Sequence, residues 1–285
     1  MISRSEKNKK VVQEINREKT IKMSKVLLEI TLIISLIVVL LYLYVRFIGT
    51  GFIETHEFVI KDNRIPASMH GVKILHFSDL LYGSTIDKDD LVYLKDEIEL
   101  ISPQIIVFTG DIVYEDYIIS NDEINYLQDF FNEIEADLGK YTIYGDMDNS
   151  NFTSIMNETD FVVLNNEEVL VYNKENTPIS LIGLNVKEIN HIEGVDNNYF
   201  TIGLIHNYDD YDKFMLKSDV ILAGHNLGGE IRLPFTSGLL GNSHYNDDYY
   251  EINGTKVHIS NGLGSIHKMR FFNHPSINVY RLYNN

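Results

Sequence analysis

The most one-sided pattern along the chain is an unbroken apolar run. From Ile30 to Val45 it reads ITLIISLIVVLLYLYV, without a charge. With Val26–Leu28 and Phe47–Ile48 it amounts to about 21 residues, enough at ~1.5 Å rise each to cross a ~30 Å hydrocarbon core as a helix. Glu29 lies near one end, while Tyr42, Tyr44 and Arg46 near the other suit an interfacial belt. No small-residue cleavage site follows, since the next residues are GTGFIETHEF, and the run is too long for an ordinary buried core helix. A transmembrane helix over 26–48 is therefore predicted, dividing a tail over 1–25 from a domain over 49–285.

Beyond residue 50 the period changes, and strand and helix signals alternate. Val72–His76 is a short apolar strand leading into FSDLLYGS. Asp87, Asp89 and Asp90 crowd the start of a helix whose Leu91, Leu94, Ile98 and Ile101 recur at helical spacing and which Pro103 stops. Gln104–Phe108 is almost wholly apolar, the mark of a strand covered on both faces. Ser120 and Glu123 make a capping box for a helix carrying Ile124, Leu127, Phe131, Ile134 and Leu138, with Gly139 closing it. Tyr141–Tyr144, Val162–Leu164, Val169–Tyr172, Ile179–Ile182, Thr201–Ile205 and Val220–Ala223 are further strand candidates. No repeat or low-complexity linker interrupts them. The expected fold class is α/β.

Five of these strands end in polar residues: Asp79, Asp111, Asp146, His206–Asn207 and Gly224–His225. Open α/β sheets form their sites beyond the carboxyl ends of strands, so five such ends point to one oxygen- and nitrogen-lined metal site. Each residue alone has a plainer reading, Asp as a turn or cap and His as a satisfied core residue. Their joint occurrence, with Gly beside Asp111, Asp146 and His225, carries the inference. Carboxylate and imidazole suit Mn, Fe or Zn, and with no Cys in the chain no thiolate competes.

Charge sharpens the division at the apolar run. The chain carries 24 Lys+Arg against 41 Asp+Glu, a net −17. Residues 1–25 hold eight Lys/Arg and three Glu, a net +5, and Glu29 and Arg46 cancel, so residues 49–285 carry −22. The basic flank predicts a cytoplasmic N-terminus and an extracytoplasmic domain, single-pass in the cell membrane. The basic tail could also lie on anionic lipid, although a solvated tail that only sets topology explains it equally well. A strongly acidic domain excludes an ordinary nucleic-acid binder and disfavours a polyanionic substrate drawn in by long-range attraction. The sequence lacks Gly-x-x-x-x-Gly-Lys-Ser/Thr, His-Glu-x-x-His and Gly-x-Ser-x-Gly, and NGLGSIH (261–267) is an incomplete dinucleotide fingerprint whose glycines suit a turn. Asp209–Asp210–Asp212 and Asp247–Asp248 read as solvated loops.

The segments KILHFSDLLYG (73–83), PQIIVFTGDIV (103–113), YTIYGDMDN (141–149), GLIHNYDD (203–210), VILAGHNLGGEIRLPF (220–235) and ISNGLGSIHKMRFFNHPSINVYRL (259–282) together resemble the calcineurin-like metallophosphoesterases, and more narrowly their membrane-anchored bacterial branch. The resemblance spans about 54 to 283 and implies a sandwich of two mixed β-sheets flanked by helices. It implies a two-metal centre in the family at large, with ions about 3.5–4 Å apart that activate a hydroxide and clamp phosphoryl oxygens. Asp79 falls on the first-site Asp of Asp-x-His, Asp111 on the bridging Asp, and Asp146 on the Asn ligand. His206 and His225 fall on the two second-site His ligands.

Three positions depart from the pattern. Leu81 replaces the His of Asp-x-His, Met147 the His of Gly-Asn-His, and Leu227 the second His of Gly-His-x-His. Leu offers no ligand atom, a Met thioether is a poor ligand for hard cations, and neither moves a proton. The first metal site keeps Asp79 and the shared Asp111, whereas the second can still draw on Asp111, Asp146, His206 and His225. The expectation is a catalytically degenerate member with at most one divalent metal (Mn, Fe or Zn) and no two-metal centre, acting as a binding or regulatory module. The alternative is an active phosphomonoesterase or phosphodiesterase at the outer membrane face. The expected partners are membrane lipid through the N-terminal helix and a phosphoester or a protein, not nucleic acid. Tyr82, Asn226, His244 and His267 are the nearest candidates to replace what is lost. His76 and His258 read as sheet residues, and His56, His70, His191 and His274 as the chain beyond the anchor or loop surface.

Overall fold

The structure is a computed structural model that describes residues 4–185, 187, 198–214, 218–233, 244–245 and 247–285. His191 and residues 234–243 lie outside the described residues. The chain divides into two units, one up to Arg46 and one over Phe47–Asn285.

The first unit is a single helix, α1 (Arg4–Leu43), followed by a π-turn at Tyr44–Ile48. It does not break near residue 26, so the segment expected as a basic tail is helical too. Every apolar side chain from Val26 to Leu43 is exposed. A helix apolar on all sides has no soluble surface to bury against. By length and composition it is long enough to cross a membrane.

The second unit is built on two six-stranded mixed sheets. The first runs in the order β1-β12-β2-β3-β4-β5, formed by β1 (Glu54–Lys61), β2 (Lys73–Phe77), β3 (Ile105–Phe108), β4 (Lys140–Thr142), β5 (Phe161–Val163) and β12 (Ser276–Tyr283). The second runs in the order β10-β11-β9-β8-β7-β6, formed by β6 (Glu167–Val171), β7 (Ile179–Leu184), β8 (Thr201–Ile205), β9 (Val220–Ala223), β10 (Tyr249–Ile252) and β11 (Thr255–Ile259). Within them β2, β3, β4 and β5 are parallel, as are β7, β8, β9 and β11.

The apolar strands bury both faces, and alternate residues serve different cores. Ile105 and Val107 of β3 join Ile202, Leu204, Val220 and Leu222 between the sheets. Ile106 and Phe108 face the other way, onto Leu91, Leu94 and Ile98 of α2 (Lys88–Ile101), Leu127 and Phe131 of α3 (Asn121–Glu133), and Phe152 and Ile155 of α4 (Ser150–Met156). A third cluster covers the outer side of β8, β9 and β11. The α/β expectation and the sandwich of mixed sheets match this architecture.

Two local expectations are corrected. The helix capped by Ser120 ends at Glu133, not at Gly139. The Lys140 ammonium, buried among Phe131, Asn132 and Ile134, takes up the carbonyls that the last turn leaves open, at 2.6, 3.3 and 2.7 Å. The strand expected over Tyr141–Tyr144 stops at Thr142, because from there the chain turns into the site.

Candidate metal centre

All five predicted strand ends meet at one place. Asp79, Asp111 and Asp146 follow β2, β3 and β4 of one sheet, and His206 and His225 follow β8 and β9 of the other. Backbone hydrogen bonds tie the first two loops together: Asp79 N to Gly110 O at 2.9 Å, Leu81 N to Asp111 O at 3.1 Å and Tyr82 N to Ile112 O at 2.8 Å. Glycine permits the remaining close approaches. A Cβ on Gly224 would strike Ser78 Oγ and Asp79 Oδ2, and one on Gly145 would strike Asp111. Asp79, Leu81, Asp111, His225 and Leu227 all hold positive φ, between 45° and 67°. Such backbone in non-glycine residues costs about 1–3 kcal/mol each and concentrates at functional sites.

Two groups of ligand atoms lie within 4.8 Å of one another: Asp79, Asp111 and His206 in one, Asp146, His206 and His225 in the other. Asp79, Asp111 and His206 are almost wholly buried, whereas Asp146 and His225 face the opening. His206 Nε2 approaches Asp111 Oδ2 at 3.1 Å and Asp79 Oδ1 at 3.9 Å. His225 Nδ1 is 3.1 Å from Asp146 Oδ2, and its backbone N–H donates to Asp79 Oδ2 at 3.0 Å.

The tautomer of His206 tests whether a cation fits. Its Nδ1 lies 2.7 Å from the Thr109 carbonyl, which can only accept, so Nδ1 carries the proton. In the neutral ring Nε2 then aims a lone pair at two carboxylates, with no hydrogen-bond partner of its own. Lone pairs facing across 3.1 Å require a proton or a cation between them. The donor set suits either, and the Thr109 carbonyl orients the ring as outer partners orient metal-bound histidines. Without a cation, burial works against the imidazolium but Asp111, Asp79 and Asp146 hold the His206 pKa well above its ordinary value. Burial and the neighbouring Asp111 raise Asp79 despite the pull of His206. Asp146 is lowered: burial opposes its charge, but the hydrogen bond to His225 and the charges of His206, His225 and Lys187 prevail.

Leu81 and Leu227 are buried beside this cluster. A Cβ on Gly264 would collide with Leu81 Cβ, and one on Gly262 would collide with Leu227 Cδ2 and lie 3.0 Å from Asp79 Cβ. The loop over 261–264 therefore closes on both leucines. Met147 is half-buried and supplies only its backbone N–H, to Asp111 Oδ1 at 2.7 Å. His267 is paired with Glu230, and His244 with Asp209 at 3.4 Å, and neither joins the two ligand groups among the described residues.

Asp148 was not singled out from the sequence. Its carboxylate accepts N–H groups from Asp111 (2.9 Å), Ile112 (3.0 Å) and Gly145 (2.7 Å), bracing both acidic loops. Burial and Asp111 push it up to about 6 against those donors. The available signal was a second Asp two residues beyond Asp146. Lys187 was also missed, with its Nζ on Asp148 O at 2.5 Å. No sequence pattern marks it.

Two mixed sheets thus bring three carboxylates and two imidazoles to one point, a donor set that suits a divalent cation. The known relatives agree. An uncharacterized metallophosphoesterase, YkuE, of Bacillus subtilis strain 168 is 27% identical over 257 residues, covering 85% of this chain and 89% of that one. An uncharacterized metallophosphoesterase of Aquifex aeolicus strain VF5 is 26% identical over 192 residues, covering 63% and 72%. The UDP-2,3-diacylglucosamine pyrophosphatase LpxG of Chlamydia muridarum is 22% identical over 293 residues, covering 77% and 87%. No family profile matches the chain. The crystal structure of TT1561 of Thermus thermophilus aligns with a TM-score of 0.41 at 13% identity, over 68% of this chain and 90% of that one. By these relatives and its two mixed sheets, the chain is similar to the calcineurin-like metallophosphoesterases. That family implies a divalent metal, and the two ligand groups are the candidates to hold it.

Proposed function

We propose that the chain is a single-pass, membrane-anchored member of this family that holds at most one divalent cation (Mn, Fe or Zn) and serves as a binding or regulatory module rather than a two-metal hydrolase. The N-terminus is cytoplasmic and the domain over 49–285 lies outside, as the basic flank favours. The observation that carries the reading is the burial of Leu81 and Leu227 against Gly264 and Gly262, where the family motif calls for two imidazoles. Asp111, Asp146, His206 and His225 would hold the one cation. A bound cation supplies Lewis-acid attraction for a phosphoryl oxygen. Asp148 and Thr109 keep Asp111 and His206 in place, and Asp79 fixes the His225 loop through its backbone N–H. Met147 has no proton to give a leaving group, a loss typically worth ~10²–10⁴ in rate.

A second reading is one-metal hydrolysis of a phosphomonoester or phosphodiester. The intact Asp79, Asp111 and His206 group favours it, as does the pyrophosphatase name of one relative. Metal analysis of the full-length protein in detergent, paired with turnover of an aryl phosphodiester, separates the two. About one cation per chain without turnover supports the module. Turnover that disappears in Asp111→Ala overturns it, and the absence of both metal and turnover removes the metal reading.

A further inference from the structure

The reading above leaves the last segment of the chain unexplained. The final acidic residue is Glu251, so residues 252–285 contain none of the 41 Asp+Glu, yet they carry Lys256, Lys268, Arg270 and Arg281. In a domain of net −22 this stretch stands apart. Its loop between β11 and β12 displays Phe272 at 60% exposure and φ 50°. Left-handed backbone at a bulky exposed residue is costly, and the Phe272 ring packs only on its neighbour Phe271 among the ring contacts of the described residues, at 4.3 Å. Arg270 supports this loop. Its guanidinium is fully buried and donates to the carbonyls of Asn261 (2.7 Å), Gly262 (3.3 Å), Asn273 (3.4 Å) and Gly264. Asn273 adds a bond to Leu227 O.

The loop also lies beside the first residues of the second unit. Ile48 and Phe52 are 59% and 58% exposed. Four residues span at most ~14 Å, and the Gly51 N to Ile48 O bond shortens this stretch further. The Phe52 ring is 6.0 Å from that of His274, and Glu54 N donates to Pro275 O at 2.8 Å. Phe272 is two residues from His274, and Lys268 and His267 precede it on the same loop.

We propose that this edge, Ile48, Phe52 and Phe272 with the acid-free loop, docks on the surface of the membrane that the N-terminal helix crosses, its exposed aromatic and aliphatic side chains at headgroup depth. Exposed Phe and Ile side chains on a segment without carboxylates suit the headgroup boundary. The proposal rests on the membrane-spanning reading of the helix. The same loop is tied to the candidate metal centre from within, because its buried Gly262 and Gly264 pack on Asp79 and Leu81.

The chain has no Trp, so an introduced one is the sole reporter. The full-length protein is placed in phosphatidylcholine–phosphatidylglycerol nanodiscs with or without bromine on the upper acyl chains. Three variants are compared: Leu36→Trp within the helix, Phe272→Trp on the loop, and Val162→Trp on β5. The last lies at the opposite edge of the first sheet from β1, about 24 Å away at ~4.8 Å per strand. Bromine is expected to quench Leu36→Trp, which lies within the hydrocarbon core, to remove roughly half or more of the emission of Phe272→Trp at the ~5–10 Å depth of an interfacial anchor, and to leave Val162→Trp unchanged. Quenching of Leu36→Trp without Phe272→Trp overturns the docking and leaves the anchor standing. Equal quenching of Val162→Trp and Phe272→Trp also overturns it. If Leu36→Trp is not quenched, the anchor fails and the docking with it.

Discussion

Leu227 offers the most direct test of what the buried leucines do. It is 3% exposed and packs on Gly262 beside Asp79. In Leu227→His, a burial worth ~1.5–3 kcal/mol is replaced by an imidazole whose polar atoms go partly unpaired, at a further ~1–3 kcal/mol. A net loss of about 3 kcal/mol in chelator corresponds to a fall in Tm of ~6–12 °C for a domain of this length. Leu227→Ala loses a similar ~2–5 kcal/mol but offers no ligand atom. The two variants should therefore separate when Mn²⁺ is added. With the new imidazole joining Asp79 and Asp111, Mn²⁺ at about 100 times its Kd returns ~2.7 kcal/mol, or ~5–11 °C. Leu227→Ala should gain no more than the unaltered protein does. The assay is thermal unfolding by circular dichroism, with and without chelator, and metal content per chain as a second readout. Identical metal-induced shifts and metal contents in Leu227→His and Leu227→Ala would refute the idea that Leu227 occupies a ligand position.

Three further predictions draw on other parts of the fold. Burial, with His258 adding, pushes His76 down to about 3, and burial, with Lys256 adding, pushes His258 down to about 4. Both folded values lie below the ordinary ~6.5, so the unfolded rings protonate first on acidification; their contribution is complete above pH ~6.5 and declines toward pH ~4 by ~1.4 kcal/mol per pH unit per ring. His258→Phe, in its cage of Phe58, Tyr249 and Tyr280, should reduce that slope by one ring's share in urea titrations across the range, and an unchanged slope would contradict it. Asp148→Ala leaves the N–H groups of Asp111, Ile112 and Gly145 without their acceptor and should weaken Mn²⁺ binding ~10–100-fold by calorimetry, as loss of an outer partner does; unaltered affinity would exclude the bracing role. Lys140→Met removes the cap on the last carbonyls of α3 and the ion pair with Asp160, and should cost ~2–4 kcal/mol in urea unfolding; a change within ~0.5 kcal/mol would show the cap to be idle.

What could be read from the sequence followed from how each element is stabilised. Strands β3, β8 and β9 were legible because both faces are buried, so the sequence is apolar throughout. The Ser120–Glu123 box fixed the start of α3 because capping is local, and both halves of it form. Its end was not legible, since Lys140 caps it from the next strand and nothing near Glu133 announces that. Strands β1, β10 and β12 escaped the pattern reading for a related reason. Two lie at sheet edges, where exposed positions such as Thr55, Glu57 and Tyr249 break the apolar run, and β12 is paired by β1 and β2, distant in sequence.

The site divides in the same way. Asp79, Asp111, Asp146, His206 and His225 could be found because strand ends place side chains at a topologically fixed edge, whatever the intervening loops do. Asp148, Thr109 and Lys187 could not, because their roles depend on which backbone atom faces them across the cleft. That asymmetry bears on what the leucines mean. A ligand lost by drift alone need leave nothing well packed in its place. Here Leu81 and Leu227 are each closed over by a glycine of one rigid loop, which Arg270 holds through four carbonyls. The left-handed backbone is kept at Asp79, Asp111 and His225 as well as at the two leucines, and such backbone concentrates at functional sites. Left-handed backbone kept at these three polar residues, beside two positions sealed by apolar side chains, supports the proposed single cation over a centre that has lost both.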